Sequence, residues 1–205
     1  ASSRTFSIEM EVPNSSIFDA ISLSAKLESG SAVLFPTDTL PALAAYPDHA
    51  EQLWSIKKRT PDKPLILMGA TSDELLKWAL PDVLDDACLM ARKYWPGALT
   101  LVLPASGYVV DALNPGGLTI GMRMPACVAT RNLLGHSGPL ATTSANLSGA
   151  APSLTAFSAA ASFPEIPLLA PVPWPKGSAK ASTVMAWKGQ GSWKILRKGT
   201  IIPRF

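Results

Sequence analysis

Three groups of polar residues stand where an apolar strand or helix runs out, and their chemistry suits an anionic ligand. Thr37, Asp38 and Thr39 follow "AVLFP", Lys57, Arg59 and Lys63 follow the helical run through Leu53, Trp54 and Ile56, and Thr142, Thr143, Ser144 and Asn146 close the apolar run "PLATT". Strand ends in α/β sheets are where ligands bind. Arginine offers a planar fork of donors and lysine a point charge, so the second group fits a triphosphate or a carboxylate. The hydroxyls and the amide add neutral donors beside it. Each group also has a plainer reading: Lys and Arg favour the negative pole at a helix C-terminus, and Ser, Thr and Asn cap turns with their own side chains. His49 and His136 flank loops and have acid–base chemistry available, although lone histidines more often sit at the surface or in packing.

Other chemistries lack their signatures. There is no Gly-x-x-x-x-Gly-Lys-Ser/Thr loop, no Gly-x-Gly-x-x-Gly and no Gly-x-Ser-x-Gly, which argues against a P-loop ATPase, a dinucleotide enzyme and a nucleophile-elbow hydrolase. Cys88 and Cys127 form no Cys-x-x-Cys pair and have no His at ligand spacing, so both are expected as buried thiols, and no protein metal site is expected. The net charge of +3 is too small to mark a nucleic-acid-binding protein by itself, so an anionic ligand must be met locally.

Those residues need elements to hold them. With 205 residues, 47% hydrophobic and 16% charged, the chain reads as one α/β-sized globular domain over 1–205. No apolar run reaches bilayer length and the first residues lack the order of a secretory signal, so no membrane association and a cytoplasmic location are expected. Helical spacing of Ile17, Ala20, Ile21 and Leu27 predicts a first helix from Asn14 to Gly30. "AVLFP" reads as a strand delivering "TDTLPALAAYPD" into a loop, and Asp48 as a cap of the helix that carries the cations. "LILM", "ALTLVLP", "GLTIGMR" and "PLATT" read as strands, and "TVMAW" with "WKILR" as a closing pair. Thr71 and Glu74 form a capping-box pattern, Pro125 suits the first turn of a helix through Leu134, and a small helix is expected from Ser153 to Ser162. The Pro-rich stretch from Phe163 to Thr183 reads as a long covering loop.

Taken in order, "FPTDTLPALAAYPD", "IKKRTPDKPLILM", "WPGALTLVLP", "GLTIGMRMP", "PLATTSANLSG" and "STVMAWKGQGSWKILRKGTI" resemble the YrdC-like threonylcarbamoyl-adenylate synthases, from about Ala32 to Ile202. Lys-x-Arg at Lys57 and Arg59, with Ser-x-Asn at Ser144 and Asn146, are the most specific parts. The resemblance implies an α/β fold in which a twisted mixed β-sheet curls around a basic cavity with flanking helices, in the short, single-domain form. It implies synthesis of threonylcarbamoyl-AMP and pyrophosphate from L-threonine, bicarbonate and ATP, for a downstream complex that modifies tRNA. By the same route Lys57, Arg59 and Lys63 are the catalytic cations. Thr37, Thr39, Arg123 and Thr143 belong to the substrate pocket, and Ser144, Asn146, Ser182 and Arg197 to the nucleotide. Magnesium is expected on the ATP phosphates. The chain departs from the family pattern at Pro41 and Ala42, where an aromatic and a glycine are usual, and at Ala181 and Ala186 around "STVM". The alternative is a diverged member that only binds nucleotide or structured RNA.

Overall fold

The structure, a computed structural model, describes residues 11–204. Its strands are β1 (Ile17–Phe18), β2 (Val33–Phe35), β3 (Ala42–Ala45), β4 (Ile66–Met68), β5 (Leu99–Pro104), β6 (Thr119–Arg123), β7 (Leu140–Ser144), β8 (Leu168–Leu169), β9 (Thr183–Gly189) and β10 (Ser192–Arg197). The helices are α1 (Ala20–Glu28), α2 (Glu51–Lys57), α3 (Ser72–Leu76), α4 (Leu84–Tyr94), α5 (Tyr108–Leu113), α6 (Val128–Ser137) and α7 (Ala156–Ser162). All strands join one sheet in the order β1-β8-β2-β3-β7-β4-β6-β5-β9-β10. Parallel pairs such as β4–β6 and β5–β9 alternate with antiparallel pairs such as β3–β7 and β5–β6, which makes the sheet mixed, as expected.

Because side chains alternate across a strand, register decides which residues meet. Leu43, Leu67, Leu101, Met122 and Met185 are buried in the main core with Leu53, Trp54 and Met90 from the helices. Their sequence neighbours take the other face, where Ala42 lies opposite Ser144, Ile66 opposite Thr142, Met68 opposite Arg123 and Thr100 opposite Val184. Leu23 and Leu27 of α1, with Leu133 and Leu134 of α6, cover one part of that second face over Phe35, Ala44 and Leu140. The uncovered part forms a cleft.

Several elements differ from the sequence reading. The first helix begins at Ala20 rather than near Asn14, because the Asp19 carboxylate accepts from Ser22 N at 2.8 Å and Ile17 and Phe18 pair with β8. Thr71 caps α3 as its pattern predicts, through the Glu74 amide. Ala42–Ala45, expected as loop, is a strand buried between β2 and β7, where ladder pairing overrides the weak strand preference of alanine. Ala50 rather than Asp48 precedes α2, and α6 starts at Val128, beyond Pro125. The helix expected from Ser153 begins at Ala156, where Thr155 supplies the cap. Helix α5 had no counterpart in the sequence reading. Both cysteines are free and half-buried rather than buried. Among the described residues no helix is long and apolar enough to cross a membrane.

The Pro-rich stretch is tied down. It contains β8, Trp174 Nε1 donates to Leu169 O at 2.7 Å, and Ser178 N donates to Asp38 O at 3.0 Å. Gly177 lies so close to the Thr37–Thr39 turn that a Cβ there would stand 2.4 Å from Thr39 O. The closing hairpin is held as well: Asp86 Oδ2 on α4 accepts from Trp187 Nε1 at 2.8 Å and from Gly191 N at 2.7 Å.

Candidate active site

The cleft encloses about 360 Å³, and Thr39, Arg59, Arg123, Thr143, Ser144, Asn146, Ser182 and Arg197 all line it. Eight residues named from sequence thus come together. Its wall holds three arginines and no carboxylate, so its field favours an anion. Pro41, Ala42 and Ala181, three of the departures noted above, lie on the same wall. Thr37, Lys57 and Lys63 do not line it. Lys63 is exposed and contributes its backbone carbonyl to Trp54 Nε1 at 2.9 Å. Thr37 donates its hydroxyl to Leu40 O at 2.6 Å and accepts from Thr39 N at 3.1 Å, a self-capped turn. It lies on a second, more apolar cavity bounded by Asp38, Ala126, Trp174 and Lys176.

Arg123, at the end of β6, is 3% exposed and ties the cleft wall together. Its Nε donates to Gly97 O at 3.0 Å, Nη1 to Thr39 Oγ1 at 2.7 Å and Nη2 to Asp38 Oδ1 at 2.6 Å. Asp38 also takes Ala126 N at 2.9 Å. Three of the five guanidinium hydrogens are thereby engaged by the protein. Asp38 belonged to a polar group in the sequence but had no assigned role, because its partner lies on a distant strand. Thr100 was also missed: its hydroxyl is 2.8 Å from Ser182 Oγ, which receives Arg197 Nη2 at 3.2 Å. The signal was available, since Thr100 is the polar residue between Leu99 and Leu101, both buried in the core.

Lys57 is 2% exposed, behind the cleft rather than in it. Four residues beyond Leu53 and three beyond Trp54, it lies on the buried stripe of α2. Its Nζ donates to Thr143 Oγ1 at 2.9 Å, Ser144 O at 2.8 Å and Ser144 Oγ at 3.2 Å. The helix ends at Lys58, whose left-handed backbone turns the chain so that Arg59 enters the cleft. Arg59 Nη1 donates to Thr143 Oγ1 at 2.7 Å and Nη2 to Pro64 O at 2.9 Å. Its Nε and Asn146 Oδ1 are buried without a protein partner among the described residues. Asn146 Nδ2 spends both hydrogens on Leu147 O and Ala150 O, each at 3.0 Å, so toward a ligand this side chain is an acceptor.

Burial, with Arg59 and Lys63 nearby, pulls the Lys57 ammonium from the ordinary lysine value of 10.5 down to about 8. Between those values the unfolded chain keeps a proton that the folded chain has released, so this group's contribution to stability rises with pH across the window. Lys57→Met removes the titration. Denaturant melts at about pH 7.5 and about pH 10 should show the parent gaining on the variant as pH rises. A difference that stays constant would mean an ordinarily solvated ammonium.

A family model described as "Telomere recombination", covering Sua5, YciO and YrdC, matches residues 25–199. The chain belongs to the Sua5/YciO/YrdC family. Within it, the chain is 35% identical over 127 residues to a threonylcarbamoyl-AMP synthase of Pyrococcus abyssi, covering 60% of this chain and 37% of that protein. It is 34% identical over 149 residues to a threonylcarbamoyl-AMP synthase of Pseudoalteromonas translucida, covering 68% of this chain and 77% of that one. The P. abyssi Sua5 structure complexed with L-threonine superposes with a TM-score of 0.79 at 29% identity, over 88% of this chain and 54% of that one. The sequence match spans under two-fifths of the P. abyssi synthase, and the superposition about half of the Sua5 chain.

Proposed function

We propose that the chain is an L-threonylcarbamoyladenylate synthase, a nucleotidyltransferase that joins L-threonine, bicarbonate and ATP. The observation that carries this reading is the convergence of Arg59, Ser144, Asn146, Ser182 and Arg197 on one cleft without a carboxylate. Names borne by family relatives support it. In the reaction the threonine amine and bicarbonate give a carbamate and water. A carbamate oxygen then attacks the α-phosphorus, and pyrophosphate leaves. The negative charge that builds on the phosphoryl oxygens is met by Arg59 and Arg197, while the hydroxyls of Ser144 and Thr143 supply neutral donors. Positioning and electrostatics suffice, so neither a covalent nucleophile nor a histidine base is required.

Magnesium would neutralise phosphate charge as pyrophosphate departs. The ion would be met mainly through the ATP phosphates and water rather than by a protein cage. Pyrophosphate should appear only when threonine, bicarbonate and ATP are all present. Nucleotide binding with no pyrophosphate would instead identify a binding module.

The amino-acid pocket gives a second measurable expectation. Ala42, Ile66 and Met68 offer apolar surface beside the Thr39 and Arg123 pair, enough to enclose one methyl. Threonine should exceed serine in specificity by about 10- to 200-fold, the range one buried methyl supplies. Valine keeps the shape and loses the hydroxyl, leaving its partner unpaired at about 1–3 kcal/mol. Pyrophosphate release with each amino acid checks this, and equal rates for all three would mean that Pro41 and Ala42 leave the pocket open.

A further inference from the structure

Lys57 presents a puzzle for a phosphate-binding role, because all three ammonium hydrogens are engaged by protein oxygens and the side chain does not line the cleft. What it touches does line the cleft. Thr143 Oγ1 receives two donors, Lys57 Nζ at 2.9 Å and Arg59 Nη1 at 2.7 Å. A hydroxyl has two acceptor lone pairs and one hydrogen, so both lone pairs of Thr143 are filled. Its hydrogen has no acceptor among the described residues, and the side chain is buried at the cleft wall. Ser144 Oγ likewise accepts from Lys57, at 3.2 Å, and its hydrogen also has no acceptor among the described residues.

We propose that Lys57 is a positioning residue that acts through Thr143 and Ser144: with Arg59 it fills both acceptor sites of Thr143 and by itself it occupies one of Ser144, which turns both hydroxyl hydrogens toward the cleft, to be donated to an anionic oxygen of the ligand. A hydroxyl in water offers either polarity. Here the polarity of Thr143 is fixed and that of Ser144 is biased before the ligand arrives, which makes the pair a preorganised anion contact of the oxyanion-hole kind. The neutral amine has a lone pair and two hydrogens, so deprotonation allows one hydroxyl to turn back toward Lys57. The direction of the shift caused by burial, Arg59 and Lys63 brings this change within experimental reach. The charged groups facing Lys57 are Arg59 and Lys63, both cationic. Neither a nucleotide phosphate nor an amino-acid carboxylate is favoured by the hydroxyl geometry alone, since both present the same kind of oxygen.

The inference rests on the synthase reading for its ligands but is tested by binding rather than turnover. Calorimetric affinities for ATP and for L-threonine would be measured separately for the parent, Lys57→Met, the pair Thr143→Val with Ser144→Ala, and the triple variant. The hydroxyl-free pair should bind the anion it serves about 10- to 100-fold more weakly, as for lost hydrogen bonds to a charged group. Lys57→Met should cost at least about 10-fold in the parent and under about threefold in the hydroxyl-free background, because residues acting through one another are not additive. An equal cost of Lys57→Met in both backgrounds would mean that Lys57 acts on the anion directly and would overturn the proposal, as would no cost in the parent. Which ligand loses affinity assigns the anion. Should Lys57→Met fail to fold, Lys57→Arg serves: it should retain near-parental affinity at neutral pH and abolish the fall in affinity expected of the parent on passing about pH 8. A Lys57→Arg profile that falls as the parent's does would reject the mechanism. Failure of the synthase reading would appear differently, as absence of pyrophosphate with intact binding.

Discussion

Arg59→Ala is expected to reduce pyrophosphate formation by about 100- to 1000-fold, the scale on which one preorganised donor to a developing negative charge acts. Arg59 is the cation that enters the cleft from the loop, and its buried Nε has no protein partner among the described residues. The fold should survive, with a stability change within about 1 kcal/mol. Two hydrogen bonds are lost, to Thr143 and Pro64, but so is a like charge beside Lys57. Arg59→Lys should recover part of the rate, because a point charge cannot span Thr143 and Pro64 at once. Initial-rate measurements with thermal melts on the same preparations decide it. An alanine variant as fast as its parent would remove Arg59 from the mechanism.

The largest stability effect is expected at Asp38. Its carboxylate, 2.6 Å from Arg123 Nη2, is the ionic partner of a nearly buried guanidinium. Asp38→Ala leaves that charge uncompensated and also removes the acceptor of Ala126 N, a loss of about 3 kcal/mol or more. For a chain of this size, 3 kcal/mol corresponds to a Tm lower by about 6–12 °C. Asp38→Asn keeps an acceptor for Ala126 and a hydrogen bond to Arg123, so it should fall between parent and alanine. A melt unchanged in Asp38→Ala would mean that Arg123 finds another counter-charge or water in the folded protein.

Local signals carried the sequence reading where chemistry and spacing coincide within a few residues. The strands β5, β6, β7, β9 and β10 were visible as short apolar or alternating runs, and the cations after α2 and the Ser-x-Asn turn were visible as polar groups at element ends. β3 was not, because Ala42–Ala45 is a strand by virtue of its neighbours β2 and β7 rather than its own residues. The two-residue strands β1 and β8 exist only as partners of each other and of β2. At the site, residue types were legible and directions were not. Lys57 and Arg59 read as equivalent cations, yet helical geometry sends Lys57 inward on the stripe of Leu53 and Trp54, while the turn at Lys58 sends Arg59 into the cleft. Thr37 and Thr39 read as a matched pair. Only Thr39 meets Arg123, and Thr37 spends its hydroxyl on the turn itself.

The bonds that build the cleft have one property in common. Lys57 and Thr143 are separated by 86 residues, Arg123 and Thr39 by 84, and Thr100 and Ser182 by 82. Contacts of such separation form late, because the loop-closure entropy must be met before they reward it. β9 and β10 complete the set by bringing Thr183 against Leu99 and Arg197 against Ser182. A chain still emerging from the ribosome therefore has hydroxyls and cations but no receptor for an anion. The affinity for an anion proposed above requires the finished sheet, which would make it a reporter of complete folding rather than of any single element.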